Sequence, residues 1–217
     1  MDKYRVLCLH GYRQNAERFR NRVSSLRRAL KSNLEFVFLD GPVVVPSEVA
    51  SEEQANTNNE DTRELAWWSY DDATRTHAYW EAAASIDYIA EFVRKEGPFD
   101  GIFGFSQGGM IASLVLQRQF ENPSESPFSF SFGLLIAAAP IDNAEYASTQ
   151  RVSIPTVHFI GETDAVVAME RSKMLLELYD EPTVFYHPGG HYIPTSKEPK
   201  DVLREFVKTL RAADGAK

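Results

Sequence analysis

The sequence predicts an α/β protein with one mainly parallel sheet of about six strands and helices on both faces. Six short, nearly continuous apolar runs are typical of parallel strands that are buried on both sides. Segments with helical periodicity separate these runs, and such alternation favours right-handed crossovers between parallel strands. Because neither a repeat nor a linker interrupts the 217 residues, we expect a single domain over residues 1–217.

The strands are expected where β-prone apolar residues cluster: Tyr4–Leu9, Leu34–Leu39, Gly101–Phe105, Phe130–Ala137, Thr156–Ile160 and Thr183–Tyr186. Apolar residues spaced three or four apart predict the helices, in the groups Phe19/Val23/Leu26/Leu30, Ala83/Ile86/Ala90/Val93 and Val202/Phe206/Leu210. The segment Met110–Leu116 is apolar nearly all round, which predicts that the helix Gly108–Gln119 is central and buried. Residues 212–217 are expected to form a frayed tail.

An acidic insertion at residues 45–65 breaks this regular alternation. The segment contains six acidic residues and a single basic one, Arg63. It is also much longer than the ~2–6 residues of most connections. We expect a mobile surface loop or a flap over a site. The segment leads into Trp67 and Trp68, a pair that a plain linker does not need.

Charge and composition exclude several classes of partner. The chain carries 23 Lys and Arg against 31 Asp and Glu, a net charge of −8, so nucleic acid and anionic membranes are unfavourable partners. No apolar run approaches the ~18–20 residues needed to span a bilayer. With one cysteine, Cys8, neither an internal disulfide nor a multi-cysteine zinc site is expected. No secretory signal is visible at the start, so we expect a reducing compartment, the cytoplasm with the nucleus as a second location.

The strongest chemical signal is the segment Gly104–Gly108, which fits the pattern G-x-S-x-G. It follows the predicted strand Gly101–Phe105 and opens the predicted buried helix, which is the setting of a nucleophile elbow. In such an elbow a sharp, strained turn lifts the serine above the sheet, and flanking glycines avoid a collision. We therefore predict that Ser106 is a nucleophile.

A serine hydroxyl needs a general base, and the chain offers five histidines. We favour His191, because it lies between the last strand and the last helix and follows the flexible turn Pro188–Gly190. His187, at the end of the last strand, is the alternative. The other three fit different environments: a core position for His158, the surface for His77, and the first loop for His10.

The base needs a carboxylate to hold its tautomer. Asp164 is our candidate, since it stands just past the carboxyl end of the strand Thr156–Ile160. Asp142, which follows the preceding strand, and Glu162 are rivals. The chain order of nucleophile, acid and base is that of an α/β-hydrolase.

An oxyanion hole completes this chemistry. One donor is expected to be the backbone N–H of Gln107, the residue after the nucleophile. The second is expected in the loop after the first strand, where Gly11 permits a turn that aims the N–H of Tyr12 inward. Asn15 in the same loop is expected to cap the next helix.

Six ordered segments together resemble the family of serine hydrolases, whose animal members are called ovarian cancer-associated gene 2 proteins. These segments are Val6–Asn15, Leu39–Pro42, Trp67–Trp68, Gly97–Gly101, Gly104–Gly108 and Gly189–Pro194, and the resemblance runs from about Tyr4 to Leu210. It implies a compact α/β-hydrolase of carboxylesterase type with a minimal lid and with Ser106, Asp164 and His191 as catalytic triad. Fungal relatives include thioesterases that release polyketide acyl chains, and animal relatives are similar to esterases that act on long-chain alkyl esters.

The predicted function is hydrolysis of a carboxylic ester, of medium to long acyl chain, through an acyl-enzyme. Trp67 and Trp68 are candidates for the wall of an acyl pocket, unless they only pack the insertion onto the body of the protein. Further candidates come from other strand-end loops: Ile141, Val166, Val167 and Ile193. The partner is a small ester or thioester; no metal or cofactor is expected, and the oligomeric state is left open. The rivals are an acyl-thioesterase or acyltransferase with the same triad, and a non-catalytic binding module.

Overall fold

Ten strands and six α-helices are defined in the computed structural model, which describes residues 2–46, 63–71, 73–148 and 150–215. The strands are β1 Tyr4–Leu9, β2 Leu34–Leu39, β3 Val43–Val44, β4 Leu65–Ala66, β5 Tyr70–Asp71, β6 Thr76–His77, β7 Gly101–Phe105, β8 Phe132–Ile136, β9 Thr156–Gly161 and β10 Thr183–His187. The helices are α1 Ala16–Arg22, α2 Ser24–Leu30, α3 Glu81–Glu96, α4 Gln107–Glu121, α5 Met169–Leu176 and α6 Lys197–Asp214. Most of the predicted acidic insertion, residues 47–62, lies outside the described residues.

The six long strands form one parallel sheet in the order β10-β9-β8-β7-β1-β2. One apolar cluster packs α3, α4 and α5 against one face, and a second packs α1, α2 and α6 against the other. Helices therefore cover both faces, and the predicted fold class is confirmed. Two short antiparallel pairs, β3–β4 and β5–β6, lie outside this sheet.

The helices differ from the prediction at three places. The first apolar stripe is buried as expected but belongs to two helices, α1 and α2, which meet at Val23. Helix α5 was not predicted. Helix α6 continues to Asp214, past residue 212, where the tail was expected to begin; the hydroxyl of Tyr4 donates to the Asp214 carboxylate at 2.6 Å.

The carboxyl ends of β7, β9 and β10 lie at one edge of the sheet, because all of these strands are parallel. Each is followed by a loop or turn that carries one member of the predicted triad. Within the described ranges, no helix combines the length and apolar character that crossing a bilayer would require.

Candidate active site

Ser106 occupies the predicted strained turn. It follows β7, it is the N-cap of α4, and its backbone has φ 55° and ψ −122°, a region that residues other than glycine rarely adopt. The turn brings Gly104 so close to Gly108 that a Cβ on Gly104 would lie 2.1 Å from the Gly108 carbonyl oxygen. A Cβ on Gly108 would lie 2.2 Å from the carbonyl oxygen of Leu9, so a close approach of backbone to backbone requires glycine at both positions.

His191 lies within hydrogen-bond distance of this serine. Its Nε2 is 2.9 Å from Ser106 Oγ, and its Nδ1 is 2.7 Å from Asp164 Oδ2. The turn that carries the histidine is held by a backbone bond of 3.2 Å from the N–H of Thr163 to the carbonyl of Gly189. The turn therefore joins the loop after β9 to the loop after β10 and sets the position of the imidazole.

Asp164 is fixed by two further hydrogen bonds. Its Oδ1 accepts from the backbone N–H groups of Val166 and Val167, each at 2.8 Å, and its side chain is only 1% exposed. An ionised carboxylate accepts but does not donate, so Nδ1 of His191 carries the proton. Nε2 is then the acceptor that faces the serine hydroxyl.

The rival carboxylates do not reach the histidine. The side chain of Asp142 is 79% exposed, and its nearest cation is Arg171, at 3.8 Å. Glu162 is an exposed residue whose backbone N–H donates to the carbonyl of His187. Of the three candidates, only Asp164 contacts His191.

His10 holds the loop after β1. The ring is fully buried; Nδ1 donates to the carbonyl of Gly11 at 2.8 Å, and Nε2 accepts from the backbone N–H of Gly41 at 2.8 Å. Burial lowers its pKa, so the ring is neutral, and both nitrogens already have partners. His10 therefore shapes the site without acting as a base.

The remaining histidines also stay away from the serine. His158 is a core residue whose burial lowers its pKa to about 3, and its Nε2 lies 2.9 Å from Thr156 Oγ1. His187 is buried, and neither ring nitrogen has a hydrogen-bond partner among the described residues. Burial lowers its pKa, against the opposing effects of Asp164 and Glu162. Neither ring hydrogen-bonds to Ser106.

Ser106 opens into a cavity of about 400 Å³. Its lining residues are Tyr12, Tyr70, His77, Tyr79, Ser106, Gln107, Met110, Ala139, Ala165, Val166, Val167, Ala168 and Arg171. The predicted residues Tyr12, Gln107, Val166 and Val167 are thus brought together with the serine. The aromatic wall formed by Tyr70, His77 and Tyr79 was missed, although these rings follow closely on the tryptophan pair in the sequence; His77 is exposed, as predicted, but on the cavity wall.

Trp67 and Trp68 are not part of this lining, and their assignment to the acyl pocket is corrected. Both are fully buried. Their hydrogen bonds hold this part of the chain against the turn at Ser106 and against the loop after β1. The backbone N–H of Trp67 donates to Gln107 Oε1 at 2.9 Å, Gln107 Nε2 donates to the carbonyl of Trp68 at 2.8 Å, and the Trp67 indole donates to the carbonyl of His10 at 2.8 Å. The alternative interpretation, that the pair packs the segment onto the body of the protein, fits these contacts.

Two other predicted wall residues lie elsewhere. Ile193 is 8% exposed and packs in the core with α6, because the turn that presents His191 directs the following residues inward. Ile141 lines a neighbouring cavity instead, since the loop after β8 passes the serine at Ala139 and then turns away from it.

The loop after β1 lies against the elbow. A Cβ on Gly11 would lie 3.3 Å from Cβ of Ser106, so the role of this glycine is to permit the close approach. The residue of this loop with a left-handed backbone is Arg13, with φ 56°. Asn15 caps α1 as predicted, with Oδ1 accepting from the N–H of Arg18 at 2.8 Å.

Comparisons with known proteins show the family and the fold. The model of the serine hydrolase (FSH1) family matches residues 1–203. Esterase OVCA2 of Danio rerio is 33% identical over 95% of this chain and 97% of its own length, and Esterase OVCA2 of Xenopus tropicalis is 31% identical over 94% and 91%. Among solved structures, a carboxylesterase from Mesorhizobium loti has a TM-score of 0.65 at 16% identity, over 96% of this chain and 90% of that one, which supports the fold. The chain therefore belongs to the serine hydrolase (FSH1) family and is an ester-hydrolysing enzyme with the α/β-hydrolase fold.

Proposed function

We propose that the enzyme cleaves carboxylic esters of medium to long acyl chain through an acyl-enzyme on Ser106. The observation that carries the proposal is the unbroken hydrogen-bond chain from Asp164 through His191 to the serine hydroxyl, at 2.7 and 2.9 Å. The strained turn supports it, because strained residues of this kind cluster at active sites.

In the proposed mechanism, Ser106 Oγ attacks the acyl carbonyl carbon while its proton passes to Nε2 of His191. The carboxylate of Asp164 stabilises the imidazolium that forms. The tetrahedral intermediate collapses, the C–O bond to the alcohol breaks, and the histidine returns the proton to the leaving alcohol. Water then attacks the acyl-enzyme with His191 again as base, which releases the acid and restores the serine.

The backbone N–H groups of Tyr12 and Gln107 are the proposed oxyanion donors. Both residues line the cavity beside the serine, and Gln107 opens α4, where N–H groups of the first turn have no partner within the helix. The positive end of the helix macrodipole adds to the stabilisation of negative charge there.

The preference for longer acyl chains is proposed from the lining of the cavity. Met110, Val166 and Val167 are apolar, and Tyr12, Tyr70 and Tyr79 present aromatic rings. Each methylene that leaves water against such a wall improves binding by about 0.8 kcal/mol. A substrate whose acyl chain reaches these residues therefore binds more tightly than an acetate ester.

Incubation with a fluorophosphonate, followed by intact mass and peptide mapping, tests the nucleophile. We expect one adduct, on Ser106; well-folded protein without an adduct would contradict the mechanism. A series of nitrophenyl esters tests the chain length, and fastest turnover of acetate would overturn that part of the proposal. Acyl-CoA substrates in the same assay compare thioesters with esters.

A further inference from the structure

A second cavity lies beside the catalytic one. It has a volume of about 240 Å³. Its apolar lining includes Met110, Leu114, Ile141, Met174 and Leu178, and Ser113, Gln117, Ser148 and Glu177 are its polar lining residues. Met110 lines both cavities. The two spaces are therefore neighbours that share one flexible side chain.

Three separate elements run from the first cavity into the second. Helix α4 contributes Met110 to both and then Leu114, one turn further, to the second alone. Helix α5 contributes Arg171 to the first and Met174, one turn further, to the second.

The loop after β8 makes the same passage. Ala139 lines the first cavity, and Pro140 and Ile141 line the second. The guanidinium of Arg171 donates to the carbonyl of Pro140 at 3.2 Å, which joins this loop to α5 at the boundary. The second cavity is therefore a continuation of the first along the directions of the elements that build it.

Met110 stands at the boundary and close to the nucleophile. Its backbone N–H donates to the carbonyl of Ser106 at 2.9 Å, which places the side chain one helical turn from the serine. Methionine is unbranched and has three rotatable bonds, so a rotamer change can open the passage at little cost. A β-branched or aromatic side chain at this position would be a stiffer partition.

Most polar side chains that line the second cavity are hydrogen-bonded within the protein, and the remaining one, the charged Glu177, is an exposed residue. Ser113 Oγ lies 2.7 Å from the hydroxyl of Tyr179, and Gln117 Nε2 donates to Ser113 Oγ at 2.9 Å. Ser148 Oγ donates to the carboxylate of Glu121 at 2.6 Å. These groups do not require a polar ligand, so the chemistry of the apolar lining decides what fits.

We infer that this second cavity takes the distal part of the substrate's acyl chain, and that Met110 is the residue that sets the accepted chain length. The inference rests on the proposed ester hydrolysis at Ser106 and extends it. An unbranched alkyl chain is the ligand class, because it matches an apolar passage with one flexible side chain across it.

The test compares kcat/KM for nitrophenyl dodecanoate and butyrate in four variants. Met110→Phe places a stiffer side chain between the two cavities, and Ile141→Trp fills the second cavity. Each should lower the dodecanoate-to-butyrate ratio of kcat/KM by at least about tenfold, because each methylene that is no longer buried lowers kcat/KM by about fourfold. Met110→Ala opens the passage and raises the ratio severalfold. The control Ala213→Trp adds the same indole on α6, next to neither cavity, and leaves the ratio unchanged.

A second measurement avoids turnover. The labelling rates of Ser106 with short-chain and long-chain alkyl fluorophosphonates should change in parallel with the ester ratios, and thermal unfolding shows that each variant is folded. The inference is overturned if Met110→Phe and Ile141→Trp both leave the ratios within about twofold of the wild type.

Failure of the underlying function has a different signature. A wild-type enzyme that hydrolyses no ester of any length and takes no adduct on Ser106 would reject the proposed function, and the inference with it. Hydrolysis of short and long esters with a length profile that the variants do not alter would reject the inference alone.

Discussion

The carboxylate of Asp164 lies 2.7 Å from Nδ1 of His191 through Oδ2 alone, while its Oδ1 accepts two backbone N–H groups. The two oxygens therefore have different partners. This division fixes the orientation of the carboxylate and, through it, the tautomer of the imidazole.

Asp164→Asn should abolish most of the activity without unfolding the protein. The carbonyl oxygen of the new side chain stays with the N–H groups of Val166 and Val167, so its NH₂ faces Nδ1 of His191. That contact selects the tautomer with the proton on Nε2, which cannot accept a proton from Ser106. We expect kcat to fall by roughly 10³–10⁴-fold, measured with a nitrophenyl ester; a loss below about tenfold would contradict the role of Asp164.

Substitutions of Ser106 should separate catalysis from backbone strain. Both Ser106→Ala and Ser106→Gly remove the nucleophile and abolish turnover. Alanine keeps a Cβ at φ 55°, whereas glycine relieves the strain, so we expect the glycine variant to be more stable than the alanine variant by about 1 kcal/mol. Urea unfolding of the two variants measures the difference. An alanine variant more stable than the glycine variant would show that the turn is not strained, because an unstrained alanine loses less chain entropy on folding.

The side chain of Gln107 should matter for both stability and activity. Gln107→Ala removes two hydrogen bonds and leaves backbone groups of Trp67 and Trp68 unpaired, which we expect to cost about 2–4 kcal/mol. Because these two bonds hold Trp67 and Trp68 against the turn at Ser106, kcat/KM should fall about ten- to a hundredfold.

Gln119 provides a matched control for this variant. It makes the same pair of bonds to the backbone of Phe130, donating and accepting at 2.8 Å, but it does not line the catalytic cavity. Gln119→Ala should therefore lower stability while activity at low temperature is retained. Equal activities of the two alanine variants would refute the proposed role of the Gln107 side chain in positioning the active site.

The buried ring of His158 should make the fold less stable in acid. Its pKa is about 3 in the folded protein and about 6.5 in an unfolded chain. Between these values the unfolded state binds one more proton, so stability falls as the pH falls below about 6.5. At pH ~5 this histidine contributes a slope of about 1.4 kcal/mol per pH unit.

The slope is measured from urea unfolding between pH ~4.5 and ~5.5, where the unfolded histidine is almost fully protonated. In His158→Gln it should be smaller than in the wild type by about that amount, whatever the absolute stability of the variant. An unchanged slope would mean that the ring is protonated in the folded protein or already neutral in the unfolded one.

The main sheet was predictable because its strands are defined by local composition. The runs at Tyr4–Leu9, Leu34–Leu39 and Gly101–Phe105 are strands with the predicted bounds. Helix α5 was not predictable in this way, since only Ser172 and Leu175 of its eight residues are buried and no apolar stripe forms. The two-residue strands of the pairs β3–β4 and β5–β6 are too short to show an alternation of apolar and polar residues in the sequence.

The triad contacts agree with the expected order of strand ends, whereas the walls of the cavity do not follow from local sequence. Trp67 has the composition of a pocket residue, but its position depends on a hydrogen bond to Gln107, forty residues later. Ile141 likewise follows a strand end, as expected, and the path of its loop carries it into the second cavity. Such placements depend on tertiary partners that a single segment does not specify.

The antiparallel pair β3–β4 brings the chain before the acidic insertion back beside the chain after it, and the N–H of Val45 donates to the carbonyl of Glu64 at 2.9 Å. The pair itself therefore holds together the described chain on the two sides of residues 47–62. A foreign peptide or an affinity sequence grafted between Pro46 and Arg63 would begin and end at this pair of strands.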